Sequence, residues 1–173
     1  MGALNSKYLK TYAKGNTFIE TGSWSGWTLV LAKDFGFTDI YGIELHPEWV
    51  RYTTDRFKDD SSIKILGGES PDMLRELCPT LVEPATFWLD AHASGPLLGG
   101  KVSCPLVQEI NIIGKHRDDH IIFIDDCRLF GSEEWGHLRK EDVVDTIFNI
   151  NPRYRFRYVD GFLSNDIMIA YTI

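Results

Sequence analysis

The sequence contains Thr86-Phe-Trp-Leu-Asp-Ala-His92 and Ile121-Ile-Phe-Ile-Asp-Asp126, two apolar runs that each end in aspartate. Short apolar runs with helical patterns between them are typical of buried parallel strands. The carboxyl ends of parallel strands meet at one edge of a sheet. We therefore expect three carboxylates and the imidazole of His92 to lie close together at that edge.

Asp90, Asp125 and Asp126 would repel one another at short range unless a cation lay among them. Three carboxylate ligands suit a hard divalent cation, Mg²⁺ first, with Mn²⁺ or Ca²⁺ as alternatives. His92, with an ordinary pKa of about 6.5, could accept a proton near neutrality. Two plainer interpretations remain open: the aspartate pair as turn residues bonded to their own backbone, and His92 as a residue that orients the loop.

Strand and helix patterns alternate along the chain, which predicts one α/β domain over residues 1–173. The expected architecture is a Rossmann-like, doubly wound, mostly parallel sheet with an antiparallel edge strand from a final hairpin. Strands are predicted at 17–20, 39–44, 63–66, 86–89, 121–124, 155–159 and 167–172. Helices are predicted at 27–33 with Ser25 as a possible cap, from 46–48 onward, at 73–77, at 106–113 ending at Gly114, and at 141–150.

Composition narrows the classes of partner. Acidic residues outnumber basic ones by 25 to 18, a formal net charge of -7, which disfavours a nucleic-acid substrate. No apolar run approaches the roughly 18 residues of a membrane span, and no secretory signal is visible. Three cysteines without paired spacing favour reduced thiols and a cytoplasmic setting.

The first strand leads into a turn flanked by Gly22 and Gly26. Glycines there permit a close backbone approach, and the helix that follows offers free N–H groups. The spacing is not Gly-x-Gly-x-x-Gly, so a pyrophosphate cradle is disfavoured. Glu20 beside the turn would repel phosphate and attract an ammonium or sulfonium group. Glu44, at the end of the second strand, could hold two ribose hydroxyls or could be a surface cap of the next helix.

With these motifs the sequence resembles the class I S-adenosylmethionine-dependent methyltransferases over about residues 17–130. The resemblance implies that the glycine turn contacts the methionine part of the cofactor. It also implies that the acid after strand two holds the ribose and that the segment after strand three lies along adenine. The segments that carry the resemblance are 18–26, 41–44, 67–70 and 87–90. The implied cofactor-binding residues are Glu20, Gly22, Ser23, Trp24, Gly26, Glu44, Leu45, Glu69, Ser70 and Asp90.

A narrower resemblance is to metal-dependent sugar O-methyltransferases of the macrocin and novobiocin type. It implies metal ligation by Asp90, Asp125 and Asp126 and proton removal by His92, with Asp90 and His92 as the catalytic residues. Histidine departs from members of this group that have aspartate there. The implied reaction transfers a methyl group from S-adenosylmethionine to a hydroxyl of a small molecule, most often a sugar or glycan. Metal coordination lowers the pKa of such a hydroxyl.

Two other functions stay open at this point. The first is an NAD-type dinucleotide-dependent oxidoreductase that uses the same sheet and Glu44, although the pyrophosphate fingerprint is missing. The second is a non-catalytic binding module with this fold. About 16 residues precede the first strand, fewer than in the relatives, so we expect an open pocket or one domain fused to other glycan-modifying domains. The oligomeric state is not predicted.

Overall fold

The computed structural model describes residues 4–91 and 104–173. Seven strands form one sheet in the order β3-β2-β1-β4-β5-β7-β6. The strands are β1 Thr17–Thr21, β2 Asp39–Glu44, β3 Ile63–Gly67, β4 Thr86–Leu89, β5 Ile121–Ile124, β6 Tyr154–Val159 and β7 Ile167–Thr172. The helices are α1 Ser6–Tyr12, α2 Trp27–Phe35, α3 Pro47–Arg56, α4 Ser70–Leu77, α5 Leu106–His116 and α6 Lys140–Ile150.

The topology confirms the predicted doubly wound α/β fold. Strands β1 to β5 pair in parallel. The final hairpin completes one edge, because β7 pairs antiparallel with both β5 and β6. The strand order reverses between β1 and β4, and crevices outside such a reversal are where open α/β sheets bind their ligands.

Hydrophobic side chains pack on both faces of the sheet. Alternate residues of each central strand point to opposite faces, so Ile19 and Phe87 lie in one layer while Phe18 and Trp88 lie in the other. Helices α4, α5 and α6 cover the first layer, and α1 and α2 cover the second. Burying one such large side chain contributes about 1.5–3 kcal/mol, so these two layers hold the strand ends in register.

The local predictions were wrong at three places. Helix α1 was not predicted. Helix α5 continues through Gly114 to His116. A Cβ at Gly114 would stand 2.3 Å from the Ile150 Cδ1 atom, so helix packing and not a helix end accounts for this glycine. Ser25 does not cap α2, because the residue before the helix is Gly26 in the left-handed conformation, with no side-chain cap.

Within the described residues, the helices are too short or too polar to cross a membrane.

Candidate functional site

The strand register brings three strand ends to one level. Thr21 of β1 lies beside Leu89 of β4, and Leu89 lies beside Ile124 of β5. The next residues extend the ladder, because the Asp90 N–H donates to the Thr21 carbonyl and the Asp125 N–H donates to the Leu89 carbonyl, each at 3.1 Å. The backbones of Asp90 and Asp125 therefore leave neighbouring strands side by side, as the two opening motifs predict.

The glycine turn packs directly against the end of β4. Gly22 has φ of 77°, and a Cβ there would stand 2.5 Å from the carbonyl oxygen of Asp90 and 3.1 Å from the Ala91 Cα. Only glycine tolerates both that backbone conformation and that approach. The turn after β1 and the acidic end of β4 therefore share one crevice.

Glu44 ties this turn to the start of α3. Its carboxylate accepts hydrogen bonds from the backbone N–H groups of Trp24 and His46, both at 2.7 Å. The side chain is buried, and the α3 cap is the His46 ring, whose Nδ1 accepts from the Glu48 N–H. Glu44 is therefore not a surface cap. Each carboxylate oxygen keeps a second lone pair that can accept from a ligand.

The other predicted cofactor-binding residues follow the ends of β1, β2 and β3. Ser23 is buried, whereas Trp24 has φ of 42° and is 56% exposed. The Trp24 ring contacts Trp49 edge-on at a centroid distance of 5.1 Å. Leu45 is exposed after β2. At the start of α4, Glu69 is exposed and Ser70 is buried.

Glu20 lies inside β1 and is 2% exposed. Burial raises the pKa of its carboxyl well above the usual value, and the charges of Asp90, Glu44 and Asp125 raise it further, while the Thr28 hydroxyl lowers it. The negative charge expected for Glu20 from the sequence is disfavoured without a cationic ligand beside it.

The surroundings of Asp90 and Asp125 disfavour the negatively charged forms of both side chains. Burial raises the pKa of Asp90, and the charges of Asp125 and Asp126 add to this effect. Burial also raises the pKa of Asp125 to about 7, although the N–H of Asp126 donates to its Oδ1 at 2.9 Å. Carboxylates in this condition would be stabilised by a nearby cation.

Asp126 has a cationic partner within the chain. It adopts the left-handed conformation, with φ of 57°, and Arg128 Nη1 contacts both its Oδ1 and the Oδ2 of Asp166. Oxygen atoms of Asp125, Asp126 and Asp166 all lie within 4.8 Å of one another, which makes these three a group that could hold a metal. Asp90 is not a member of this group of three. Its negative charge raises the pKa of Glu20.

These residues fit a hard divalent cation. Asp90 and Asp125 offer carboxylate oxygens, and burial raises the pKa of both groups. Carboxylate oxygens are the ligands that Mg²⁺ and Mn²⁺ prefer. Asp126 can contribute only while sharing its carboxylate with Arg128. The metal ligands and the binding roles predicted from sequence are not tested by this geometry and stay predictions.

Asp166 and Glu109 were missed from sequence. Asp166 directly precedes β7, and Ile124 of β5 pairs with Met168, so an acid before β7 lies beside the acids after β5. Glu109 had a visible signal: with Leu106, Ile110 and Ile113 it forms the buried stripe of α5, at the spacing of a helix face that meets the core. His92 lies outside the described residues.

No protein-family model matches the chain, and no curated protein matches it. Solved structures do. An O-methyltransferase from Bacillus cereus in complex with S-adenosylhomocysteine superposes with a TM-score of 0.65 at 12% identity, over 97% of this chain and 78% of that one. The S-adenosylhomocysteine-bound methyltransferase PaMTH1 from Podospora anserina gives 0.63 at 12%, over 91% and 72%.

DesVI from Streptomyces venezuelae gives a TM-score of 0.65 at 9% identity, over 97% of this chain and 89% of that one. At identities this low, the similarity supports the fold only. The fold is that of the class I S-adenosylmethionine-dependent methyltransferases, as the resemblance implied.

Proposed function

We propose that this protein is an S-adenosylmethionine-dependent O-methyltransferase whose acceptor hydroxyl is activated by a divalent metal. The observation that carries the proposal is the contact between the turn at Gly22 and the backbone of Asp90. It brings the expected donor site and the expected metal site into one crevice. Methyl transfer needs this proximity, because a sulfonium methyl is already electrophilic and the enzyme mainly aligns an oxygen for attack.

The cofactor roles follow the shape of the crevice. Glu44 would accept from the ribose hydroxyls while the backbone N–H groups of Trp24 and His46 hold its carboxylate in place. Gly22 and Gly26 would keep the turn open for the methionine part, and Glu69 and Ser70 would border adenine. The positive charge of a sulfonium would also favour the ionised form of Glu20.

Asp90, Asp125 and Asp126 would hold the metal, with Mg²⁺ favoured over Mn²⁺ and Ca²⁺. When bound, such a cation lowers the pKa of a coordinated hydroxyl and orients it. Arg128 would keep the Asp126 carboxylate in place through its contact with Asp166. His92 would accept the proton.

For the acceptor we propose a hydroxyl on a small molecule, preferably a sugar or glycan. The acidic crevice and the net charge of -7 disfavour a nucleic acid. A cytoplasmic setting agrees with the three cysteines, all free. Fusion to other glycan-modifying domains remains part of the proposal.

Calorimetry with S-adenosylhomocysteine and, separately, with NAD tests the cofactor assignment. We expect binding of S-adenosylhomocysteine only, and binding of NAD alone would replace this proposal with the oxidoreductase. Mass spectrometry of sugar acceptors incubated with isotope-labelled S-adenosylmethionine then tests turnover. Activity should disappear in EDTA and return with Mg²⁺, whereas full activity in EDTA would remove the metal. Cofactor binding without turnover on any acceptor would favour the non-catalytic module.

A further inference from the structure

A second acidic feature lies beneath the end of β4, on the face covered by α5. A small cavity there is lined by Leu89, Asp90, Cys104, Leu106, Glu109 and Trp135, together with Ala91 and Ile124. It has room for about one water-sized group. The described residues around it are apolar apart from Asp90, Cys104, Glu109 and the indole N–H of Trp135, and they include no basic side chain.

Glu109 is the unexplained member of this cavity. It is fully buried, and among the described residues no donor makes a hydrogen bond of ordinary geometry to either carboxylate oxygen. The hydroxyls of Thr21 and Ser70 lie close enough to lower its pKa, but burial dominates and raises that pKa to about 7. These hydroxyls are also buried without a hydrogen-bond partner in the described chain. An acid in this position is costly unless a ligand compensates it.

We propose that Glu109 is a specificity residue that receives an ammonium group carried by the acceptor. Two acidic residues, Asp90 and Glu109, line the cavity, and an ammonium is a water-sized cation with three N–H donors that can satisfy several acceptors at once. Trp135 supplies an aromatic wall, and desolvated cations are attracted to such rings. A neutral hydroxyl of the same size would leave the negative charge uncompensated.

This inference deepens the proposed function and rests on it for the identity of the ligand as an acceptor. It narrows the acceptor to a hydroxylated molecule that also bears a primary amine, such as an amino sugar. The reacting hydroxyl would lie at the metal ligands, and the ammonium would lie at Glu109. Asp90 lines the cavity and is also a proposed metal ligand, so Glu109 is the carboxylate that distinguishes the ammonium.

Ethylammonium and ethanol are matched probes of nearly equal size, and only the water-sized head group of each, an ammonium or a hydroxyl, is expected to reach the cavity. Binding is followed by the indole N–H resonance of Trp135, identified with Trp135→Phe, in the full chain at pH 8 with EDTA and again with Mg²⁺. We expect ethylammonium to shift the resonance with a dissociation constant in the millimolar range, which is the scale for so few atoms. Ethanol should leave it unchanged at the same concentration. Tetramethylammonium, too large for the cavity, should also fail.

Glu109→Gln supplies the second arm, because it keeps the shape and removes the charge. We expect it to weaken ethylammonium at least tenfold while S-adenosylhomocysteine binds as to the wild type, which also shows that the variant folds. Equal shifts by ethanol and ethylammonium, no shift by either, or unchanged affinity in Glu109→Gln would overturn the inference. If the variant does not fold, the wild-type comparison of the two probes decides. Failure of the proposed function would instead appear as loss of S-adenosylhomocysteine binding to the wild type.

Discussion

Gly22 and Asp90 meet so closely that a Cβ atom at Gly22 would stand 2.5 Å from the Asp90 carbonyl oxygen. This contact joins the turn after β1 to the end of β4. Any side chain at Gly22 would have to push the two segments apart, because the obstructing atom belongs to the backbone. The contact therefore sets both the stability of the edge and the width of the crevice.

Gly22→Ala should lower the free energy of unfolding more than Gly36→Ala does. Both glycines have positive φ, but a Cβ at Gly36 would meet nothing within 4 Å. The control measures backbone strain alone, about 1–2 kcal/mol, and the steric clash should add about 1–3 kcal/mol at Gly22. Urea denaturation of the two variants measures the difference. Equal losses would mean that the close approach carries no energy.

Glu44→Gln should weaken S-adenosylhomocysteine binding at least tenfold. The two oxygens of Glu44 accept from two backbone N–H groups, and an amide would present a donor to one of them. Leaving that N–H unsatisfied costs about 1–3 kcal/mol, which we expect to appear as lower stability as well. Calorimetry measures the affinity, with Glu48→Gln on the exposed start of α3 as the control. Affinity equal to that of the control would remove Glu44 from the cofactor site.

Asp125→Asn should reduce methyl transfer by more than a hundredfold and leave S-adenosylhomocysteine affinity within a few fold. The amide keeps an oxygen for the N–H of Asp126 but loses the charge that the metal requires. Turnover with labelled cofactor at saturating Mg²⁺ measures the effect. The matched control is Asp119→Asn, since Asp119 pairs with Arg117 before β5 begins, at the opposite end of the strand.

Asp166→Asn should have a smaller effect, about tenfold to a hundredfold on activity or on the Mg²⁺ concentration for half-maximal rate. Such losses are usual when a group that orients a metal ligand is removed. Asp166 holds Arg128, which in turn contacts Asp126. A Mg²⁺ titration of turnover distinguishes this role from direct ligation. A loss as large as that of Asp125→Asn would place Asp166 among the ligands.

His120→Asn should make the protein less sensitive to acid. The side chain of His120 is fully buried, and its Nδ1 accepts a hydrogen bond from the Ala85 N–H at 3.0 Å. Burial lowers the pKa of His120 to about 4. The unfolded chain takes up the proton near pH 6.5 and the native state does not. The contribution of neutral His120 to the free energy of unfolding is therefore fully present above pH 6.5. It decreases as the pH is lowered, by about 2 kcal/mol at pH 5.

Asparagine keeps an acceptor for the Ala85 N–H and cannot protonate in this range. The difference in unfolding free energy between pH 8 and pH 5 should therefore be smaller in His120→Asn by about 2 kcal/mol. Urea denaturation at both pH values measures it. If the difference is the same in the variant and the wild type, protonation of His120 does not contribute to the loss of stability at low pH, whatever the variant's stability at pH 8.

Local sequence patterns were sufficient to predict the seven strands, their alternation with helices, and the acids that follow β4 and β5. Those features depend on local hydrophobic period and on the first polar residue after a buried run, which neighbouring residues decide. The crevice at Gly22 and Gly26 could be predicted for the same reason.

Three features could not be predicted because they depend on contacts between distant parts of the chain. Arg128 and Asp166 are 38 residues apart and meet because β7 inserts antiparallel beside β5. Gly114 predicts a helix end by local preference, yet it lies inside α5, where packing against Ile150 requires a residue without a side chain. Glu109 lies in an apolar helix stripe of α5, but its surroundings depend on β1 and α4 as well, because the hydroxyls of Thr21 and Ser70 lie close to its carboxyl group. Long-range packing, which local preference does not encode, set all three.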